Sequence, residues 1–225
     1  MSTRVLAIDT TAEFGSIALT EDGKLIEEVL LHSPEGFGQI LFLQIERLLE
    51  RHDWRIAYLE GLAGLAGPGS FTGVRIGLAA VKGLAEAAGK RCVAVSNLQA
   101  LSWFGDAPLR ATVLDARRGE VYAAVYDGSF NPITAEVVMT FPDWLTTLPP
   151  REEMEFISTN FAPFQHALAG TRFARARVIT APRALAGAAA AIATRALNED
   201  AALDPAAIDA NYVRRSDAEL LWKDR

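Results

Sequence analysis

Cysteine is nearly absent: the 225 residues hold one, Cys92. A single thiol closes no internal disulfide, so the chain is not a disulfide-stapled scaffold. In KRCVAVS that cysteine lies in an apolar run and reads as a small core residue, not a nucleophile. Histidine is scarce too. His32, His52 and His166 are scattered, and no two stand at helical ligand spacing, which excludes a zinc or iron site built on them. Basic residues are outnumbered, 22 Lys+Arg against 28 Asp+Glu, for a formal net charge of -6. Such a chain has no broad basic face with which to act as the main platform for nucleic acid, although a local basic patch is open to it. Long apolar runs are missing as well. MSTRVLAIDTT meets Asp9 almost at once and does not read as a secretory signal. ALAGAAAAIATRAL, from Ala184, is alanine-rich and broken by Arg195, well short of the roughly 20 strongly apolar residues that span a membrane. The expectation is a soluble cytoplasmic protein.

What is there is apolar and ordered. Half the residues are hydrophobic, enough for a sizeable core in one large domain or two modest ones. RVLAIDT reads as a buried strand ending in an acid. GSIALTEDGKLIEEVLL reads as two strands joined at Asp22-Gly23, a strong hairpin signal. In the next segment Leu41, Ile45, Leu48 and Leu49 recur at helical spacing, and Ile40, Phe42 and Leu43 widen the apolar stripe beyond what one sheet needs. LEGLAGLAG is a further strand. VRIGLAAVKGLAEAAG is a helix with Gly89 as its C-cap, and KRCVAV is a strand. Ser96 or Asn97 caps a short helix over LQALSWFG.

The pattern then restarts. RATVLDARRGEVYAAVYDGSFNPI repeats the order of RVLAIDTTAEFGSIALTEDGKLI: a strand ending in Asp, a turn with Gly, a second strand, and Asp-Gly opening a third. Two lobes follow, 1–104 and 105–225, divided near FGDAPLR. The segment from Pro142 to Thr180 reads as irregular. The alanine-rich helix closes the second segment and is a candidate to pack back on the first lobe.

GPGSFTGVRIG, from Gly67, raises the question of a phosphate. Gly64 and Gly69 have P-loop spacing, but Ser70 and Phe71 follow where Lys and Ser/Thr are needed. Gly67, Gly69 and Gly73 miss the dinucleotide fingerprint by one residue. What remains is a helix start that either binds an anion or is capped by Ser70 or Thr72. Paired βββ openings with Asp at the end of the first strand resemble the actin and sugar-kinase ATPase superfold, an α/β class with duplicated βββαβαβα-type lobes, here with the second lobe reduced. In that fold the first turn of each lobe approaches nucleotide phosphates. Asp9, Thr10 and Ser70 are therefore weak cofactor-binding candidates. The turn lacks a Gly after Asp9, however, and Arg117, Arg118 and Glu120 are bulky where small residues belong. Catalytic and metal-binding residues are not expected.

VLAIDTT, GPGSFTGVRIG, VLDARRGEVYAAVY and YVRR, in that order along most of the chain, closely resemble the bacterial TsaB family. SPEGFGQIL departs from it, lacking the His-Ser-Glu of many relatives. The resemblance implies a non-catalytic scaffold subunit required for threonylcarbamoyl transfer to the adenosine beside the anticodon of tRNA. It implies pairing through the first lobe with the catalytic TsaD subunit, a small ATPase (TsaE) joining them, and homodimers when alone. Contact with tRNA would come only through the complex. No cofactor is expected in the isolated chain, with ATP or ADP at a subunit joint. Helices around Ile40–Leu49 and Val74–Ala88 are then expected to face the partner through Ile40, Leu41, Phe42, Ile45, Val74, Leu78 and Val81. The rivals are a glycoprotease-like metallopeptidase and a small-molecule kinase or ATPase of the same fold.

Overall fold

The computed structural model describes residues 2–150 and 153–214. In chain order it holds β1 (Arg4–Asp9), β2 (Phe14–Glu21), β3 (Lys24–His32), α1 (Leu41–Arg51), β4 (Gly61–Leu65), α2 (Phe71–Ala88), β5 (Arg91–Val95) and α3 (Asn97–Ser102). There follow β6 (Leu109–Arg117), β7 (Glu120–Asp127), β8 (Val137–Thr140), α4 (Phe141–Thr147), β9 (Met154–Ser158), β10 (Arg177–Thr180) and α5 (Ala186–Asn198). Two compact units result. Among the described residues, one contains 2–100 with Arg183–Ala210; the other contains 101–150, 153–182 and 211–214.

The first unit is built on a sheet ordered β3-β2-β1-β4-β5. Asp22 and Gly23 turn β2 into β3 with φ of 52° and 75°, the left-handed pair that a two-residue hairpin demands. β4 is buried at every position and lies between two helices. A Cβ on Gly61 would stand 2.7 Å from a Leu197 methyl, and one on Gly64 would stand 3.0 Å from a Leu78 methyl. Small residues at those points let α5 cover one face of the sheet while α2 covers the other. α5 is buried from Ala186 to Thr194, and its alanine-rich sequence lets it lie close on the sheet. Its free N–H groups are met by the sheet. Leu185 and Ala186 donate to the Ser16 hydroxyl (3.1 and 3.0 Å), and Gly187 donates to the Glu28 carboxylate (2.8 Å).

The second unit repeats that topology, as β8-β7-β6-β9-β10. The reduction expected of it lies in the helices, not the strands. α4 has 7 residues and Gln165–Leu168 forms a 3-10 turn, whereas α1 and α2 have 11 and 18 residues. The segment from Pro142 to Thr180 is not irregular: it contains α4 and two strands. Pro142 occupies the first turn of α4 behind the Thr140 cap, where its missing N–H costs nothing. Phe141, Trp144, Phe156, Phe161 and Phe173 form the aromatic core of this unit. Asp127-Gly128 does not open a strand at once. The Asp127 carboxylate accepts from Ser129 and Asn131 N–H groups, and the widened loop delays β8 to Val137.

Candidate functional site

The turn after β1 and the entry to α2 meet inside the first unit. Ser70 caps α2 by accepting the Gly73 N–H (3.3 Å), and its own N–H donates to the Thr11 carbonyl (2.7 Å). The Thr10 hydroxyl donates to the Gly73 carbonyl (2.7 Å). Asn97, at the start of α3, joins the two segments. Its amide donates to the Thr11 hydroxyl (2.6 Å) and accepts the Gly67 N–H (3.0 Å). The peptide bond from Gly67 to Pro68 is cis. A Cβ on Gly73 would overlap the Thr10 carbonyl oxygen. One on Gly69 would stand 2.5 Å from the Thr11 carbonyl oxygen, and one on Gly77 would stand 2.6 Å from the Thr10 hydroxyl. At Gly69 and Gly73 the backbone of the turn after β1 lies where a side chain would go, and at Gly77 the Thr10 hydroxyl does.

Asp9 sits behind this contact, 1% exposed. One of its carboxylate oxygens accepts the Thr11 N–H (2.9 Å) and the Thr11 hydroxyl (2.7 Å). Burial pushes its pKa up to about 6; the two Thr11 hydrogen bonds pull it back, and the Glu28 carboxylate adds to the rise. A phosphate at this turn would need free N–H groups and space. The N–H groups of Thr11, Ser70 and Gly73 are all taken by the protein's own oxygens, and Thr10 and Asp9 are buried. Asp9 and Thr10 are thus closed to a nucleotide's phosphates, whereas Ser70 is exposed with its N–H and hydroxyl both engaged within the protein. They lock a helix to a strand. The sequence singled out these three, and Gly73 only as a misplaced fingerprint glycine; Thr11 was not singled out. Asn97 was visible only as a cap. The signal for all of them was the density of small polar residues around two chain reversals.

The expected partner-facing residues divide by burial. Leu41, Ile45, Val74, Leu78 and Val81 are 0–5% exposed and belong to the core of the first unit, where α1 and α2 lie on the sheet. Their side chains are spent on the core and offer almost no surface. Ile40 is partly buried against the same core. Phe42 alone of the expected set is outward, at 57% exposure, with Leu43 beside it at 47%. On α2 the outward side carries Phe71, 43% exposed, with the Arg75 guanidinium 3.6 Å over its ring. Of the wide apolar stripe of α1, Leu41, Ile45, Leu48 and Leu49 turn in, while Phe42 and Leu43 turn out.

The corresponding turn of the second unit is built differently. Asp115 accepts the Arg117 N–H (2.7 Å), and Arg117, Arg118 and Gly119 all have positive φ. The histidines have separate structural settings. His32 stacks on Phe14, and His52 lies 2.7 Å from the Glu27 carboxylate that Arg51 also holds. Cys92 is buried, and its thiol is pushed up to about 11 by burial. A shallow cavity of about 340 Å³ is lined by Gly89, Lys90, Arg91 and Asp204 at the opposite end of α2 from the sealed turn. Among the described residues, no helix is long and apolar enough to cross a membrane.

Comparison with known proteins fits this picture. An ADPNP-bound activator of 2-hydroxyisocaproyl-CoA dehydratase from Clostridium difficile shares the fold, with a TM-score of 0.52 at 9% identity over 89% of this chain and 97% of its own. The fold is the actin-like and sugar-kinase type. A Pseudomonas aeruginosa protein with similarity to peptidase YeaZ superposes with a TM-score of 0.76 at 25% identity, covering 94% of this chain and 100% of that one. The tRNA threonylcarbamoyladenosine biosynthesis protein TsaB of Escherichia coli (strain K12) is 37% identical over 134 residues, 58% of this chain and 58% of its own length. That of Bacillus subtilis (strain 168) is 31% identical over 153 residues, 66% of this chain and 67% of its own. The family model of TsaD, tRNA N6-adenosine threonylcarbamoyltransferase, matches residues 36–218. The chain belongs to the family of that model and, within it, to the bacterial TsaB proteins.

Proposed function

We propose that this chain is the non-catalytic scaffold subunit required for threonylcarbamoyl transfer to the adenosine beside the anticodon of tRNA. It pairs with a TsaD-type transferase through its first unit, is joined there by the TsaE ATPase, and pairs with itself when alone. It works in the cytoplasm. The observation that carries the reading is the bonding of the first turn: the fold of a nucleotide-handling protein is kept, yet Asp9 and Thr10 are buried and the Ser70 N–H is already taken by the Thr11 carbonyl. A shared fold alone does not supply an activity; that has to come from a site. Any ATP or ADP is then held at a joint with the other subunits. Exposed apolar side chains on one helix surface, Phe42 and Leu43, supply what a partner would cover.

The test is reconstitution. Transferase, ATPase and unmodified tRNA are combined with and without this chain, and the modified nucleoside is counted by mass spectrometry. Formation that requires this chain, and co-elution of the chain with the transferase, are expected. Equal formation without it sinks the reading.

A further inference from the structure

The β6–β7 hairpin carries arginines where its backbone asks for something else. Arg117 pairs with Glu120, leaving Arg118 and Gly119 as the two turn residues. Arg117, Arg118 and Gly119 have φ of 65°, 57° and 79°. Turns of this class favour Asn-Gly or Asp-Gly, because Asn, Asp and Gly enter the left-handed region at least cost. The same chain shows the unstrained solution at β2–β3, where Asp22-Gly23 makes an equivalent turn. Burial does not explain the choice either: both arginines are exposed, the Arg117 side chain by 87%. Strain kept at an exposed tip points to a use for the side chains.

The tip is also held in place. Asp115 accepts the Arg117 N–H, and a loose ion pair of 3.6 Å links the two side chains. Arg214, from the far end of the chain, donates to the Ala116 carbonyl (2.7 Å) and pairs with Glu120. That contact neutralises the acid next to the turn. Two neighbouring exposed arginines thus stand on a braced hairpin of a chain whose net charge is -6. Planar guanidinium forks match phosphate oxygens, and bracing lowers the ordering cost of binding. A protein partner would be met by an apolar centre inside a polar rim. None of the large exposed hydrophobic side chains lies on β6 or β7.

We infer that the Arg117–Arg118 tip contacts the phosphate backbone of RNA. Resting on the function proposed above, that RNA is the tRNA being modified. The contact positions the substrate without reading sequence, and it supplies locally what the acidic chain lacks overall.

The experiment uses the assembled complex with transferase and ATPase, and purified unmodified tRNA as the probe. Arg117→Gly/Arg118→Gly removes both cations while relieving both left-handed arginines. The variant is expected to melt at or above the wild-type temperature and to co-elute with the transferase. It should bind tRNA about tenfold more weakly, with the salt slope of log K smaller by about one to two. Arg117→Lys/Arg118→Lys keeps the slope. An unchanged tRNA affinity and slope in the glycine variant overturns the inference. So does a lower melting temperature, which would make the arginines structural, or loss of co-elution, which would make the partner a protein. Wild-type chain in the same assay keeps the two readings apart. If it fails to support modification, the proposed function falls. If it supports modification while the glycine variant binds tRNA normally, only the tip assignment falls.

Discussion

Two glycines of α2 should respond to the same substitution with opposite signs. Within a helix, Gly→Ala gains about 0.5–1 kcal/mol because glycine has more backbone freedom to lose. Around Gly83 a new Cβ meets no atom within 4 Å, so Gly83→Ala should keep that gain. At Gly73 the Cβ would overlap the Thr10 carbonyl oxygen and lie 3.0 Å from the carbonyl carbon. The obstacle is backbone, so no rotamer relieves it. The first turn of α2 must move off the β1 turn. Overpacking of this kind costs about 1–3 kcal/mol. The movement also strains the Thr10–Gly73 hydrogen bond and the Ser70 cap, each of which contributes about 1 kcal/mol. Set against the helix gain, Gly73→Ala should lose about 2–4 kcal/mol. For a chain of this size that lowers the melting temperature by about 5–15 °C, while Gly83→Ala raises it by about 1–4 °C. Thermal melts followed by circular dichroism, with urea midpoints at unchanged slope, read both numbers. Equal stability of the two variants would refute the close-packing account and return the glycines to an anion-binding role.

The remaining expectations concern Asp9 and the helix faces. Burial raises the Asp9 pKa to about 6 from 3.8, so the folded chain holds more protons than the unfolded one between about pH 4 and 6. Stability attributable to this group therefore falls as pH rises through that window, by about 3 kcal/mol in full. Asp9→Asn keeps an oxygen for Thr11 and removes the charge. It should gain on the wild type by about 1–3 kcal/mol between pH 4.5 and 7.5 in urea titrations, and parallel pH profiles would contradict the burial argument. Leu41→Asp and Leu78→Asp place a charge in the core and should unfold the first unit, seen as lost ellipticity. Phe42→Asp with Leu43→Asp should stay folded yet lose co-elution with the transferase in gel filtration; full retention would move the interface off α1.

Local patterns were enough for much of this molecule. Asp22-Gly23 set a hairpin, Ser70 and Gly89 set the ends of α2, and the recurrence of strand–Asp–Gly set two sheets of one topology. Each depends on neighbours a few residues apart, and chain order displays those directly. Other features depended on atoms brought together from afar. Apolar residues cover more than half of α1, so spacing gives their angles relative to one another but not which side meets the sheet; packing alone turned Leu41 in and Phe42 out. Gly73 is indispensable because of a carbonyl 63 residues earlier, and Asp9 holds its proton more tightly because of what surrounds it. α5 joins the first unit because Ser16 and Glu28 receive its free N–H groups across some 160 residues of chain. Contacts of that span leave no periodic trace in a sequence, since the two partners need only be complementary once folded.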